Sequence, residues 1–152
     1  GVNAAIDNLT PLAQSYKEKF MSAGFQDRVM GWWRQCLGSV EQSLQSPQRV
    51  HRFVEEALEL AQACNIPREE CLALVDYVYG RPTGEIGQEV GGVLTTLAVL
   101  CEGRGMDMAE CGENELERCW RNFDKIRAKE AAKKDYASPQ ASWRTSQRSA
   151  PR

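Results

Sequence analysis

Residues 53–61 read Phe-Val-Glu-Glu-Ala-Leu-Glu-Leu-Ala, an apolar run that contains three carboxylates. Side chains three and four positions apart are neighbours on a helix, with Cβ atoms roughly 5–6 Å apart. Glu59 therefore lies beside both Glu55 and Glu56, and the apolar remainder predicts a helix that is buried on most sides. Carboxylates in such surroundings repel each other and lose hydration unless a cation neutralises them. The stretch indicates either a metal site or the solvated acidic edge of an amphipathic helix.

The same helical spacing of apolar residues recurs along the chain between marked helix ends. Thr10-Pro11 and Ser46-Pro47 each place a capping hydroxyl before a proline, which is typical of a helix start. No segment alternates with a period of two residues, so no strand is expected. We predict an all-α fold, a helical bundle, with helices over about 11–23, 26–37, 47–64, 67–79 and 85–102. Asp107 and Glu110 predict a short turn that ends at Gly112, and a last helix follows over about 113–134.

The helix predicted from Glu85 to Glu102 reads EIGQEVGGVLTTLAVLCE. It begins with Glu85 and Glu89 one turn apart and continues as an uninterrupted apolar run, so we expect a central helix. Glycines cost a helix about 1 kcal/mol each relative to alanine. The three glycines of this helix therefore indicate close approach of another helix.

Length and composition predict one soluble all-helical domain over residues 1–134. Residues 133–152 carry five basic residues and one acid, a charge of +4, which leaves −6 for residues 1–132 of the total −2. An acidic body excludes a general nucleic-acid binder, since phosphate binding needs clustered Lys and Arg. Residues 135–152 lack Leu, Ile, Val and Phe, so we expect a disordered tail or an extended arm on a partner subunit.

The cysteines and the single histidine restrict the kind of metal site. The six cysteines form no C-x-x-C pair, which is typical of buried free thiols in a cytoplasmic protein. With His51 as the only histidine, a centre with several histidine ligands is excluded. The N-terminus shows no signal peptide pattern, and the longest apolar run, 90–101, is too short to span a bilayer.

Two acidic helices packed face to face would suit Mg²⁺, which prefers oxygen ligands and is usually held by a few carboxylates together with substrate phosphates. The first helix would supply Glu56 and Glu59, and the second Glu89 with Glu85. Bringing these acids together without a cation would be costly.

Three motifs in order resemble the MazG-like family of all-α nucleoside triphosphate pyrophosphohydrolases. They are EExxE (55–59), QEVGG (88–92) in the second acidic helix and NxxK (122–125) near the end of the last helix. The resemblance covers about residues 26–134. The sequences around the first two motifs are similar to those of family members encoded by phages and mobile elements. It implies a four-helix core that pairing of subunits completes, as a homodimer or a homotetramer.

The resemblance also implies an activity and a set of site residues. Members cleave nucleoside triphosphates to the monophosphate and pyrophosphate with Mg²⁺, for which Mn²⁺ could substitute. Carried over residue by residue, the family's roles assign the catalytic acids Glu55 and Glu59, the metal ligands Glu56, Glu59, Glu89 and Glu85, and the substrate contacts Asn122 and Lys125. Where the family usually has an aspartate, this chain has Gly92, so Glu85, a water or a substrate oxygen would fill that place.

Two further residues are candidates for contact with the base, Trp32 by stacking and His51 by hydrogen bonding. Ordinary core packing is the alternative for both. Three functions follow from the sequence: an Mg²⁺-dependent pyrophosphohydrolase for nucleotide-pool house-cleaning, a dUTPase-like enzyme restricted to uracil, and a non-catalytic helical regulator that binds nucleotide or protein. The change to Gly92 favours the last. No membrane and no nucleic-acid partner is expected.

Overall fold

A computed structural model describes residues 9–38 and 44–133. These residues form helices and no β-strand, which confirms the predicted all-α class. The predicted tail at 135–152 lies outside the described residues. The helices are α1 (Pro11–Phe20), α2 (Phe25–Leu37), α3 (Pro47–Ala63), α4 (Arg68–Tyr79), α5 (Ile86–Gly103), α6 (Met108–Arg121) and α7 (Phe123–Lys133).

Side-chain caps fix the starts of α1 and α3. The Thr10 hydroxyl accepts a hydrogen bond from the Ala13 N–H at 3.3 Å, and the Ser46 hydroxyl accepts one from the Gln48 N–H at 3.2 Å. Each cap satisfies a backbone donor that has no partner within its helix. At the end of α2, Gly38 has φ +80°, a conformation that favours glycine, and its N–H donates to the Arg34 carbonyl at 3.1 Å. These predicted helix ends are confirmed.

Two predicted boundaries near the C-terminus are wrong. Helix α6 continues through Gly112 instead of ending there. A Cβ on Gly112 would lie 3.0 Å from Cζ of Phe25, so the glycine accommodates the aromatic ring and does not stop the helix. The predicted last helix is also interrupted, because α6 ends at Arg121 and α7 begins at Phe123. Between them, the Asn122 amide side chain donates to the Arg118 carbonyl at 2.8 Å.

The described chain divides into two compact units. The terminal unit takes in the residues up to 38 and from 109 onward, and the central unit takes in those from 44 to 108. The division is geometric, so one domain over residues 1–134 stays a prediction. No helix of the described residues is long and apolar enough to cross a membrane.

The terminal unit has a small aromatic core. Its buried residues are Ala13, Cys36, Leu116, Trp120 and Phe123. The Phe123 ring stacks on Trp120 with centroids 5.6 Å apart and contacts the Tyr16 ring at 5.9 Å. The Cys36 thiol donates to the Phe123 carbonyl at 3.6 Å. Helices α1, α2, α6 and α7 therefore meet around one phenylalanine.

Ion pairs add to this core at its edge. Lys17 on α1 pairs with Glu117 on α6, and Arg28 on α2 pairs with Glu113 on α6. The hydrogen bond from Arg28 lowers the pKa of Glu113, and the same bond raises the pKa of Arg28. Both pairs are partly exposed, so each contributes little to the free energy of unfolding. Their main effect is to fix the register of α1 and α2 against α6.

The central unit is much less well covered. No residue of α3 or α4 is buried, and α5 has only Cys101 buried. The expectation of a helix buried on most sides at 53–61, and of a central helix at 85–102, is therefore not met within one chain. The apolar side chains are present as predicted, but no described part of the chain covers them.

The contact between Gly112 and Phe25 predicts the effect of a small substitution. Gly112→Ala should gain up to about 1 kcal/mol of helix propensity. The added methyl would press on the Phe25 ring, and overpacking costs about 1–3 kcal/mol. In the wild-type background we expect a small net loss of stability, and in a Phe25→Ala background a gain of about 1 kcal/mol. Urea unfolding of the four proteins measures this coupling, and equal effects in both backgrounds would refute the contact.

Candidate metal centre

Three glutamates line the side of α3 that lies away from its apolar residues. Glu55, Glu56 and Glu59 are exposed, and their spacing of three and four residues puts them on one acidic face. Arg52 lies one turn earlier, where its guanidinium pairs with Glu55 and, through Nη2, with Oε1 of Glu56 at 3.2 Å. Glu59 takes part in no ion pair among the residues that the structure describes.

The role of Arg52 on this face was not predicted, although its spacing from the glutamates indicates helical ion pairs. Its separations of three and four residues from Glu55 and Glu56 are those of helical ion pairs. The arginine supplies part of the neutralising charge that was expected from a metal ion. Arg52 does not pair with the third carboxylate, Glu59, which is exposed to solvent.

The second acidic stretch lies at the start of α5. Glu85 is the N-cap residue, and its side chain makes no capping hydrogen bond. Glu89 lies in the first turn, where the positive end of the helix dipole favours a carboxylate. Its carboxylate lies over Gly84, since a Cβ there would clash with Oε1 and stand 3.1 Å from Cδ. Glycine at 84 therefore leaves room for this carboxylate.

Gly92, three residues after Glu89, has open space around it. A Cβ on Gly92 would meet no atom within 4 Å. The space would therefore accept the aspartate that the family usually has at this place.

Within one chain these acids do not form a metal site. Among residues 9–38 and 44–133, no three acidic, cysteine or histidine side chains are grouped so that they could hold a metal ion. The donor chemistry of the five glutamates fits Mg²⁺, which prefers carboxylate oxygens. Their convergence on one ion stays a prediction.

The predicted site residues are distributed over both units. The five glutamates and His51 belong to the central unit, whereas Trp32, Asn122 and Lys125 belong to the terminal unit. Trp32 packs against the terminal core, which agrees with the packing alternative. Asn122 uses its amide nitrogen in the helix break described above. Lys125 is exposed, and His51 is half-buried.

The six cysteines are free. Burial is the main cause that raises the pKa of Cys119 to about 11, and the neighbouring Glu115 raises it further. A thiol with so high a pKa is a poor nucleophile at neutral pH. Cys119 is therefore no candidate for covalent catalysis.

Comparison of the chain with family models, with curated proteins and with solved structures returned no match.

Proposed function

We propose that this protein is an Mg²⁺-dependent nucleoside triphosphate pyrophosphohydrolase that hydrolyses ribo- or deoxyribonucleoside triphosphates to the monophosphate and pyrophosphate. The observation that carries the proposal is the placement of carboxylates on two helices of one unit. Glu55, Glu56 and Glu59 lie on one face of α3, and Glu85 and Glu89 lie at the start of α5. Their order matches the motifs of the MazG-like family.

The residues that would hold the metal are Glu56, Glu59 and Glu89, with Glu85 as a fourth. Mg²⁺, or Mn²⁺ in its place, would polarise the phosphate oxygens and make a bound water more acidic. These carboxylates are exposed, so a metal ion and a substrate phosphate can reach them from solvent. Glu59 supports this role most, since it makes no ion pair with any described residue.

Glu55 would orient the water that attacks phosphorus and accept its proton. The new P–O bond forms from that water, and the bond to the departing pyrophosphate breaks. Contacts of Asn122 and Lys125 with the substrate stay predictions, as does stacking of Trp32 on the base. The proposal includes a MazG-type bundle, a homodimer or homotetramer, house-cleaning of the nucleotide pool and a cytoplasmic location.

A non-catalytic regulator that binds nucleotide or protein is the second candidate. Two observations favour it: Gly92 stands where the family usually has an aspartate, and the acids form no three-member group within one chain. The regulator would keep a nucleotide or metal site but lack the ligand set that hydrolysis needs.

The decisive experiment measures pyrophosphate release from a panel of canonical and modified nucleoside triphosphates, with Mg²⁺ and with EDTA. We expect release with Mg²⁺ or Mn²⁺ only. Gly92→Asp should raise the rate, because its Cβ meets no atom within 4 Å and its carboxylate would take the place that Glu85, a water or a substrate oxygen fills in the wild-type protein. Binding without release by both proteins across the panel would support the regulator and reject the enzyme.

A further inference from the structure

One exposed arginine of the central unit is held by an aromatic ring instead of an acid. The guanidinium of Arg81, two residues beyond the end of α4, lies over the Tyr77 ring, with its Cζ atom 5.0 Å from the ring centroid. The Tyr77 side chain is itself 61% exposed. A cation over the face of a tyrosine ring is attracted by the electrons of the ring, which restricts the guanidinium. Arg81 is therefore a cation that the protein holds in place and leaves open to solvent.

The backbone at the end of α4 brings these two side chains together. The Gly80 N–H donates to the Asp76 carbonyl at 3.0 Å, and the Arg81 N–H donates to the Val78 carbonyl at 3.2 Å. These bonds satisfy carbonyls of the last helical turn, which have no partner within the helix. The turn that ends the helix therefore places Arg81 against the ring of Tyr77.

The guanidinium of Arg81 makes no ion pair with the part of the chain that the structure describes. Arg52, in contrast, is paired with two glutamates of α3. An arginine carries five N–H donors in a planar fork that matches a phosphate group bidentately. A guanidinium that a ring already holds also loses less conformational freedom when it binds. Arg81 is therefore prepared to bind an anion.

Arg81 lies near the acids that are proposed to hold the metal. Gly84 follows Arg81 by three residues, and a chain advances at most about 3.6 Å per residue, so their Cα atoms are at most about 11 Å apart. The Glu89 carboxylate lies against Gly84, because its Oε1 atom would clash with a Cβ there. One triphosphate, with its three linked phosphates, could therefore contact a divalent ion on Glu89 and the guanidinium of Arg81 together.

We infer that Arg81 binds a phosphate group of the nucleoside triphosphate and that Tyr77 positions its guanidinium. The inference rests on the proposed function, which supplies the metal and the triphosphate. Fixed cations stabilise the negative charge of a phosphate group during its transfer. The predicted contacts Asn122 and Lys125 belong to the terminal unit, whereas Arg81 supplies a cation within the unit that carries the acids.

Binding of inorganic pyrophosphate with Mg²⁺, measured by isothermal titration calorimetry, tests the phosphate contact without a base or a reaction. Arg81→Ala should raise the dissociation constant at least about tenfold, since hydrogen bonds between charged groups support a difference of that size. Arg81→Lys keeps the charge but not the planar fork, so its loss should be smaller, about threefold.

Arg104 offers a matched control in the same unit. It is also exposed and follows Glu89 by 15 residues, which places it about 22 Å away along α5. Arg104→Ala should leave the dissociation constant for pyrophosphate within about twofold of wild type. Equal effects of Arg81→Ala and Arg104→Ala would show a general effect of net charge and would overturn the inference.

Two substitutions test the positioning by Tyr77. Tyr77→Phe keeps the ring face and should bind pyrophosphate as wild type does, whereas Tyr77→Ala should raise the dissociation constant about threefold. Circular dichroism checks that each variant stays helical. A ring that only stabilised the end of α4 would lower the melting temperature of Tyr77→Ala and leave pyrophosphate binding unchanged, which would overturn the positioning role.

Hydrolysis separates this inference from the proposed function. In an active enzyme, Arg81→Ala should lower kcat/KM at least about tenfold. Unchanged kcat/KM and unchanged pyrophosphate binding would overturn the inference and leave the function standing. Binding that depends on Arg81, in a protein that hydrolyses no triphosphate, would support the phosphate contact and reject the enzyme. A wild-type protein that neither binds pyrophosphate nor hydrolyses any triphosphate would overturn both.

Discussion

Replacing Phe123 with alanine should cost about 3–5 kcal/mol, the loss expected when a fully buried aromatic side chain is truncated. The ring is 1% exposed and contacts both Trp120 and Tyr16. Alanine would leave a cavity and remove two aromatic contacts, each worth about 0.5–1.5 kcal/mol. A domain is stable by only about 5–15 kcal/mol, so the terminal unit should be largely unfolded at moderate urea. Urea titration followed by tryptophan fluorescence measures the loss.

Phe25 offers a control of the same residue type. Its ring is 46% exposed, so Phe25→Ala removes far less buried surface and should cost about 1 kcal/mol. Phe123→Leu, which keeps much of the volume, should recover more than half of the loss. If the two alanine variants were equally stable, Phe123 would not be the centre of the terminal core.

The helix ends could be predicted from the sequence because their causes are local. A capping hydroxyl before proline and a glycine after the last turn act through bonds within four residues, as at Thr10 and Gly38. Neither feature depends on the rest of the fold. The all-α class was predictable for the same reason, since the apolar spacing belongs to each helix separately.

Gly112 and Asn122 show where this local information ends. Glycine often stops a helix, but Gly112 lies inside α6 because the Phe25 ring, 87 positions earlier in the chain, occupies the space where a side chain would be. That contact joins two distant segments, and no pattern in residues 105–120 encodes it. At Asn122 the backbone N–H and the side-chain amide both donate to the Arg118 carbonyl, and the apolar spacing of the sequence continues across this helix break without marking it.

The sequence could predict which glutamates share a helix face, but not whether the two acidic helices bring them together. The sequence places Glu55, Glu56 and Glu59 on one helix face, and the structure agrees. Whether Glu89 joins them depends on how α3, α5 and any second copy pack, which is tertiary and quaternary information. The ion pairs of Arg52 could have been inferred from spacing, because partners three and four residues away are local.

Glu59→Gln should reduce Mg²⁺-dependent pyrophosphate release by at least about 100-fold, because loss of a catalytic or metal-bound carboxylate removes a contribution of that size. The amide keeps the size of the side chain and removes only its charge. Since Glu59 makes no ion pair with a described residue, the substitution breaks no stabilising contact there. It relieves repulsion from Glu55 and Glu56, worth about 0.2–0.5 kcal/mol per pair. We therefore expect a melting temperature in EDTA that is equal to or above that of wild type.

The combination of lost activity and retained stability separates a functional carboxylate from a structural one. Glu102 on α5 is also exposed, and Glu102→Gln serves as the control that should keep wild-type release. Mg²⁺ should raise the melting temperature of wild type and of Glu102→Gln, but hardly that of Glu59→Gln, because bound ligand stabilises the folded state by mass action. If Glu59→Gln kept wild-type release and the Mg²⁺ response, the acidic face of α3 would be only a solvated surface, and the proposed reaction would need another site.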